Sequence, residues 1–151
     1  GYCLSASAFD NNIRLVSVLF GAKSSKDRFN YSKKLLRFGF RNFESVLYSK
    51  ASVPLLENRV WYGAKKFLKI GFKEDMYLTL LKISQKKVST NIKVLEEISA
   101  PIEKNQRVGE IEFLSNNEVI SVKPLYALES VEEGNFFNKI IDSIIMFFKK
   151  N

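Results

Sequence analysis

The chain has 151 residues, 46% of them hydrophobic and 26% charged, with a net charge of +8, a single cysteine and no histidine. That apolar fraction suffices for one or two small cores, while a His general base, His metal ligands and an internal disulfide are all excluded, so no metal site or cofactor is expected. No run of about 18 apolar residues occurs, and nothing is expected to cross a bilayer as a helix.

Gly1-Tyr2-Cys3-Leu4 carries neither a Met nor a charged stretch ahead of an apolar one, so the chain is expected to begin inside a gene product. Leu4 to Ala8 and Ile13 to Phe20 are short apolar runs flanking Asp10-Asn11-Asn12, a pattern that predicts a β-hairpin ending at Gly21. From Ser25 the period changes to that of a helix, capped by Ser24 or Ser25, reaching about Arg37 and stopping near Gly39. A hairpin and one helix leave sheet edges and a helix face to be covered, a second sign of a longer protein.

The hinge is expected near Phe43, giving a first segment of residues 1–43 and a β-rich one of 44–131. Tyr77 to Leu80, Val88 to Val94, Val108 to Phe113 and Val119 to Val122 are strand candidates, with Asn116-Asn117 as a hairpin turn between the last two. These predict a small antiparallel β domain, a sandwich or open barrel, in which Trp61, Tyr62, Phe67, Phe72 and Phe113 are core residues. The fold class is therefore α+β, closed by a helical segment at 132–151. There, Phe136, Phe137, Ile140, Ile141, Ile144, Ile145, Phe147 and Phe148 fall on one half of a helical wheel. Asn138, Lys139, Asp142, Ser143, Lys149 and Lys150 occupy the other half, with Met146 as the one apolar intruder. Such a helix either docks on a core or lies in the headgroup region of a membrane, and its terminal place and Phe/Ile content favour the second.

Basic residues look scattered, with acids such as Glu57, Glu74, Glu96 and Glu110 among them, and Lys outnumbers Arg. That reads as a solvated surface, so no nucleic-acid partner is expected. The pairs Glu74-Asp75, Glu96-Glu97 and Glu132-Glu133 read as solvated charge. Ser5 and Ser7 have no base in sequence reach, and Arg28 reads most simply as a helix-start residue facing water. No Gly-rich phosphate loop and no CxxC occurs, and no internally complete catalytic set is expected.

Several separated stretches, in order, resemble a known family. Gly1-Tyr2-Cys3-Leu4-Ser5-Ala6-Ser7-Ala8, Arg14-Leu15-Val16-Ser17-Val18, Arg28 and Ser32-Lys33-Lys34-Leu35-Leu36 are similar to the end of the peptidase domain of the low-molecular-mass, serine-type D-alanyl-D-alanine carboxypeptidases. Trp61-Tyr62-Gly63, Asp75-Met76-Tyr77-Leu78-Thr79, Ala100-Pro101-Ile102-Glu103-Lys104-Asn105-Gln106 and Glu133-Gly134-Asn135-Phe136-Phe137 resemble that family's β domain and terminal anchor. The resemblance implies a serine acyl-enzyme that removes the terminal D-alanine from peptidoglycan pentapeptides, in a penicillin-binding protein held peripherally on the periplasmic face of the bacterial inner membrane. The last glycine of the family pattern KTGxTxxAG falls on Gly1. The serine of SxxK, Ser-x-Asn and Lys-Thr-Gly are accordingly expected to be missing, no catalytic residue lies in this chain, and the chain alone is expected to be inactive. What carries over is Arg28, matching a family arginine implicated in holding the substrate carboxylate, a task suited to a guanidinium. The rival readings are a non-catalytic β-domain binding module with a partner-docking helix and, less favoured, a basic nucleic-acid-binding protein.

Overall fold

The computed structural model describes residues 1–83 and 88–150. In chain order the elements are β1 (Tyr2–Asp10), β2 (Ile13–Ala22), α1 (Ser25–Asn42), β3 (Phe43–Ser49), β4 (Pro54–Trp61), β5 (Phe67–Gly71), β6 (Met76–Leu81), β7 (Val88–Val94), β8 (Ile98–Ser99), β9 (Arg107–Ser115), β10 (Glu118–Ala127) and α2 (Phe136–Lys150). They fall into two compact units, Gly1–Tyr48 with Tyr77–Lys87, and Ser49–Met76 with Val88–Asn151. This division differs from the linear one at residue 44. The reason is that β3 finds its partner in β6, more than two dozen residues later, so that β6 returns to the first unit. Helix α2 is grouped with the second unit.

In the first unit β1 and β2 pair antiparallel, with Ser7 opposite Val16 and Phe9 opposite Arg14. Asn11 and Asn12 have φ of 45° and 62°, the paired left-handed conformation a tight two-residue hairpin requires and Asn tolerates. Leu4, Ala6 and Ala8 are half-buried while Ser5 and Ser7 are exposed, as the period of two dictates. Helix α1 opens on an N-cap: the Ser24 hydroxyl accepts the Asp27 N–H at 3.1 Å and donates to the Asp27 carboxylate at 2.7 Å. The helix runs past Arg37 and straight through Gly39 to Asn42, ending where Phe43 turns extended. Gly39 is therefore no stop signal. A Cβ there would lie 2.3 Å from Leu15 Cδ1, the tip of a flexible side chain, so Gly39 marks a close approach of α1 to β2.

In the second unit the strands form one hydrogen-bonded sheet in the order β7-β9-β10-β5-β4-β8, the antiparallel β domain for which a sandwich or open barrel was expected. It departs from an all-antiparallel pattern at one edge, where the two-residue β8 runs parallel to β4, Val60 opposite Ile98. Consecutive strands β7 and β8 lie at opposite ends of that order, so the chain crosses between them and enters beside β4 in the same direction. Asn116 and Asn117, with φ of 51° and 66°, form the second tight hairpin turn, joining β9 to β10. Leu68, Ile70, Ile111, Phe113, Leu125 and Val108 are fully or almost fully buried, and Trp61 and Phe72 join them. Phe67, expected in that core, is 58% exposed. The alternation of β5 turns Leu68 and Ile70 inward, which puts Phe67 and Lys69 outward.

Candidate functional site

Arg28 sits in the first turn of α1, its N–H donating to the Ser24 carbonyl at 3.2 Å. Its side chain is half-buried, which corrects the water-facing reading. One terminal guanidinium nitrogen donates to the Cys3 carbonyl at 3.3 Å, and the group lies 5.7 Å from the Tyr2 ring centre and 5.2 Å from that of Phe29. The Nε atom is buried and has no hydrogen-bond partner. A guanidinium fixed between two rings with donors to spare can take a carboxylate in a set orientation.

As bare strings, the family's catalytic spacings do occur in the chain. Ser84-Gln85-Lys86-Lys87 fits SxxK, while Ser89-Thr90-Asn91 and Ser115-Asn116-Asn117 fit Ser-x-Asn; Lys-Thr-Gly does not occur. The first lies outside the described residues. The others are absorbed by their own elements: Asn91 donates to Glu112 at 3.0 Å on the outer side of β7 and β9, and Asn116-Asn117 is the β9–β10 turn. Among the described residues no group of His, Cys, Asp and Glu could hold a metal ion. Of the carboxylate pairs, Asp75 accepts the Ala51 N–H at 2.8 Å and so has a structural partner, which solvated charge does not.

Helix α2 is placed with its sides reversed relative to an ordinary docked helix. Phe136, Phe137, Ile140, Ile141, Ile144, Ile145, Phe147 and Phe148 are all exposed, Phe136 by 73% and Phe137 by 76%. The side that meets the β domain is polar. Asp142, only 8% exposed, accepts from Arg59 at 2.8 Å through one carboxylate oxygen and from the Tyr62 N–H at 2.8 Å through the other. The Arg59 guanidinium in turn lies 4.2 Å from the centre of the Trp61 ring. One turn further on, the Tyr62 hydroxyl donates to Met146 Sδ at 3.2 Å, and near the start of the helix Lys139 pairs at 2.5 Å with Glu133, which precedes it. The sequence put Asp142 in the polar half of the wheel and treated Met146 as an intruder; both meet the β domain through Arg59 and Tyr62, and Arg59 drew no notice. A helical wheel identifies a polar stripe but not the strand residue that will meet it. No helix among the described residues is long and apolar enough to cross a membrane.

Charge is also less evenly spread than the linear sequence suggests. By sequence, the first unit holds eleven Lys and Arg against three acids, and the second holds thirteen of each. The whole excess of +8 therefore belongs to the first unit. The β domain is neutral overall.

Against known proteins, the family described as "Penicillin-binding protein 5, C-terminal domain" matches residues 43–133. The D-alanyl-D-alanine carboxypeptidase DacC of Escherichia coli K12 is 40% identical over 149 residues, covering 98% of this chain and 37% of DacC. DacA of Haemophilus influenzae is 34% identical over 151 residues, covering 99% and 38% respectively. Among solved structures, penicillin-binding protein 5 from Haemophilus influenzae superposes with a TM-score of 0.79 at 35% identity, covering 88% of this chain and 39% of that one. The carboxypeptidase DacD from Francisella tularensis gives 0.60 at 29% identity, covering 88% and 33%. The chain thus spans little more than a third of the length of these curated relatives.

Proposed function

Since the chain belongs to the penicillin-binding protein 5 C-terminal domain family, whose relatives here are D-alanyl-D-alanine carboxypeptidases, we propose that it is the C-terminal portion of such an enzyme. In that reading the parent protein removes the terminal D-alanine of peptidoglycan pentapeptides through a serine acyl-enzyme, and this portion supplies a β-rich stalk and a peripheral anchor on the periplasmic face of the inner membrane. The hairpin β1–β2 and α1 are the end of the peptidase domain. Arg28 holds the substrate's carboxylate.

One observation carries the anchor: α2 has its polar side on the β domain and its Phe and Ile side exposed. Full burial of one such side chain stabilises by roughly 1.5 to 3 kcal/mol, so even partial insertion of this face outweighs the cost of ordering the segment. From Glu132 onward three acids balance three lysines, leaving little electrostatic attraction to anionic lipid. Binding is therefore apolar and survives salt. Co-sedimentation with neutral liposomes tests this. The wild-type chain sediments with them at high salt, and changing Phe137, Ile141 and Ile144 together to Glu abolishes sedimentation. Release of the wild-type chain by about 0.5 M salt, where screening lengths fall to a few ångströms, would refute the apolar anchor. The catalytic assignment has its own test: the chain alone forms no covalent adduct with a labelled penicillin, because activation of a serine needs an adjacent base.

A further inference from the structure

An isolated helix of 15 residues is marginal in water. In globular proteins such helices are normally held by burying their apolar stripe. Here that stripe is the exposed one, so whatever keeps α2 formed before it meets its target must act on the polar side. Three contacts lie there, spaced along one stripe at i, i+3 and i+7: Lys139 with Glu133, Asp142 with Arg59 and Tyr62, and Met146 with Tyr62. The middle one is the most enclosed, and both oxygens of its carboxylate are used.

The β domain is shaped to offer that contact. Tyr62 adopts φ of 59°, a conformation uncommon for a residue with a side chain, and its N–H is given to Asp142. Its carbonyl accepts the Gly134 N–H at 2.8 Å, which fixes the segment leading into α2. Gly134 itself has to be glycine, because a Cβ would lie 2.7 Å from the Gly63 carbonyl oxygen. Arg59 is braced over Trp61 and presents its outer nitrogen to the carboxylate.

We propose that Asp142, acting through Arg59 and the Tyr62 N–H, is the positioning residue of the anchor, holding α2 on the β domain as a formed helix with its apolar face already turned outward. The proposal rests on the membrane reading of α2 and adds to it the way the helix is presented. The anchor meets lipid preordered, and its insertion does not carry the full cost of folding a free tail.

The test uses the full chain as wild type, Asp142→Ala, Arg59→Ala and the double variant, with the Phe137, Ile141 and Ile144 to Glu variant alongside. Three readouts are taken: hydrogen exchange of α2 amides without lipid, emission from Trp61, the chain's one tryptophan, and affinity for neutral phosphatidylcholine liposomes. Each single variant is expected to speed α2 exchange by about tenfold or more, to shift Trp61 emission and to weaken liposome binding by about tenfold, leaving β9 exchange unchanged. The double variant is expected to lose no more than Asp142→Ala alone, since that change already removes the Arg59 contact along with the Tyr62 one. Wild-type α2 protection in Asp142→Ala overturns the proposal. So does additivity in the double variant, and so does equal loss of protection in β9 and α2, which would make Asp142 a general stability residue. If the triple Glu variant still binds liposomes, the membrane reading fails instead, whatever the state of the Asp142 contact.

Discussion

The two units differ in how far each closes on itself and in how each carries charge. The second closes six strands over Phe113, Ile111, Leu68, Ile70 and Leu125, and balances its charges one for one. The first is a hairpin under one helix with the separate β3–β6 pair. Val16, Val18 and Phe20 remain exposed on the side of β2 away from α1, and Leu4, Ala6 and Ala8 border an open apolar groove with Leu36 and Phe40. It also carries the entire net charge. In the first unit the outer face of β2 and the groove beside α1 stay uncovered by the chain's own residues, whereas the second unit closes on its own core. Side-chain burial and charge balance thus vary together along one chain.

The sharpest way to break this contrast is to delete core volume. Phe113→Ala is expected to destabilise the second unit by about 3 to 5 kcal/mol, read from the urea midpoint, while Phe20→Ala in the first unit changes it by less than about 0.5 kcal/mol. Comparable losses at both positions would end the distinction. Next in size is Arg28→Ala in a complete enzyme carrying this segment. Loss of one charge-assisted bond to the substrate carboxylate costs roughly 1.5 to 3 kcal/mol, or about one to two powers of ten in kcat/KM. Wild-type constants would return Arg28 to a purely structural role under Tyr2 and Phe29.

Glycines sharpen the comparison further. A Cβ on Gly109 would lie 2.5 Å from the backbone oxygen of Lys93, which cannot move without disturbing the β7–β9 ladder. Gly109→Ala is therefore expected to cost about 1 to 3 kcal/mol. At Gly39 the obstacle is only the tip of the Leu15 side chain, and alanine's better helix propensity returns about 1 kcal/mol. Gly39→Ala should be nearly neutral in a denaturation curve.

Smaller effects follow from charge. Replacing Lys34, Arg37 and Arg41 of α1 by Gln should lower the salt needed to elute the chain from a cation exchanger more than replacing Lys65, Lys66 and Lys69 does, because the latter sit in a neutral unit and Lys65 already pairs with Glu129 at 2.5 Å. Equal shifts would mean the two surfaces are electrostatically alike. Smallest of all is a pH effect in the second unit. Hydrogen bonds from Lys93, and then from Asn91, hold the Glu112 carboxyl below the usual carboxylate range, and the bond to Glu112 raises Lys93 above its own. The carboxylate's contribution is present above its unfolded pKa and is lost as pH falls through the depressed folded value. Glu112→Gln should flatten the acid limb of urea midpoint against pH by slightly lowering the neutral plateau, while leaving the acid end nearly unchanged.

Sequence reasoning reached what is local. Both Asn turns, the capped start of α1 and the strands β7 and β9 depend on neighbours within a few residues. It named no strand at β3, β4, β5 or β8, because Pro54, the short runs and the two-residue β8 carry no period of their own and are strands only through their partners. The same limit explains the candidate sites. The wheel of α2 separated Phe137, Ile141 and Ile144 from Asn138 and Asp142, but which side faces the protein depends on Arg59 and Tyr62, some eighty residues away. Arg28 was found by resemblance, and its seat between Tyr2 and Phe29 depends on β1 lying beside α1.

The pairing of β3 with β6 bears on how this chain can be inherited and recombined. Compactness assigns both strands to the first unit, yet both lie within residues 43–133, the stretch the family match covers. Among the described residues no strand pairing crosses the junction between Asn42 and Phe43, since β1 pairs only with β2 and β3 with β6. A genetic join made there would interrupt one covalent backbone and no ladder. The stretch can be moved whole, β3 and β6 together, onto another carrier, whereas a join inside 50–76 would strand β3 on one side and β6 on the other. Modularity in this chain is set by where backbone hydrogen bonds close on themselves, and compactness alone would misplace the seam.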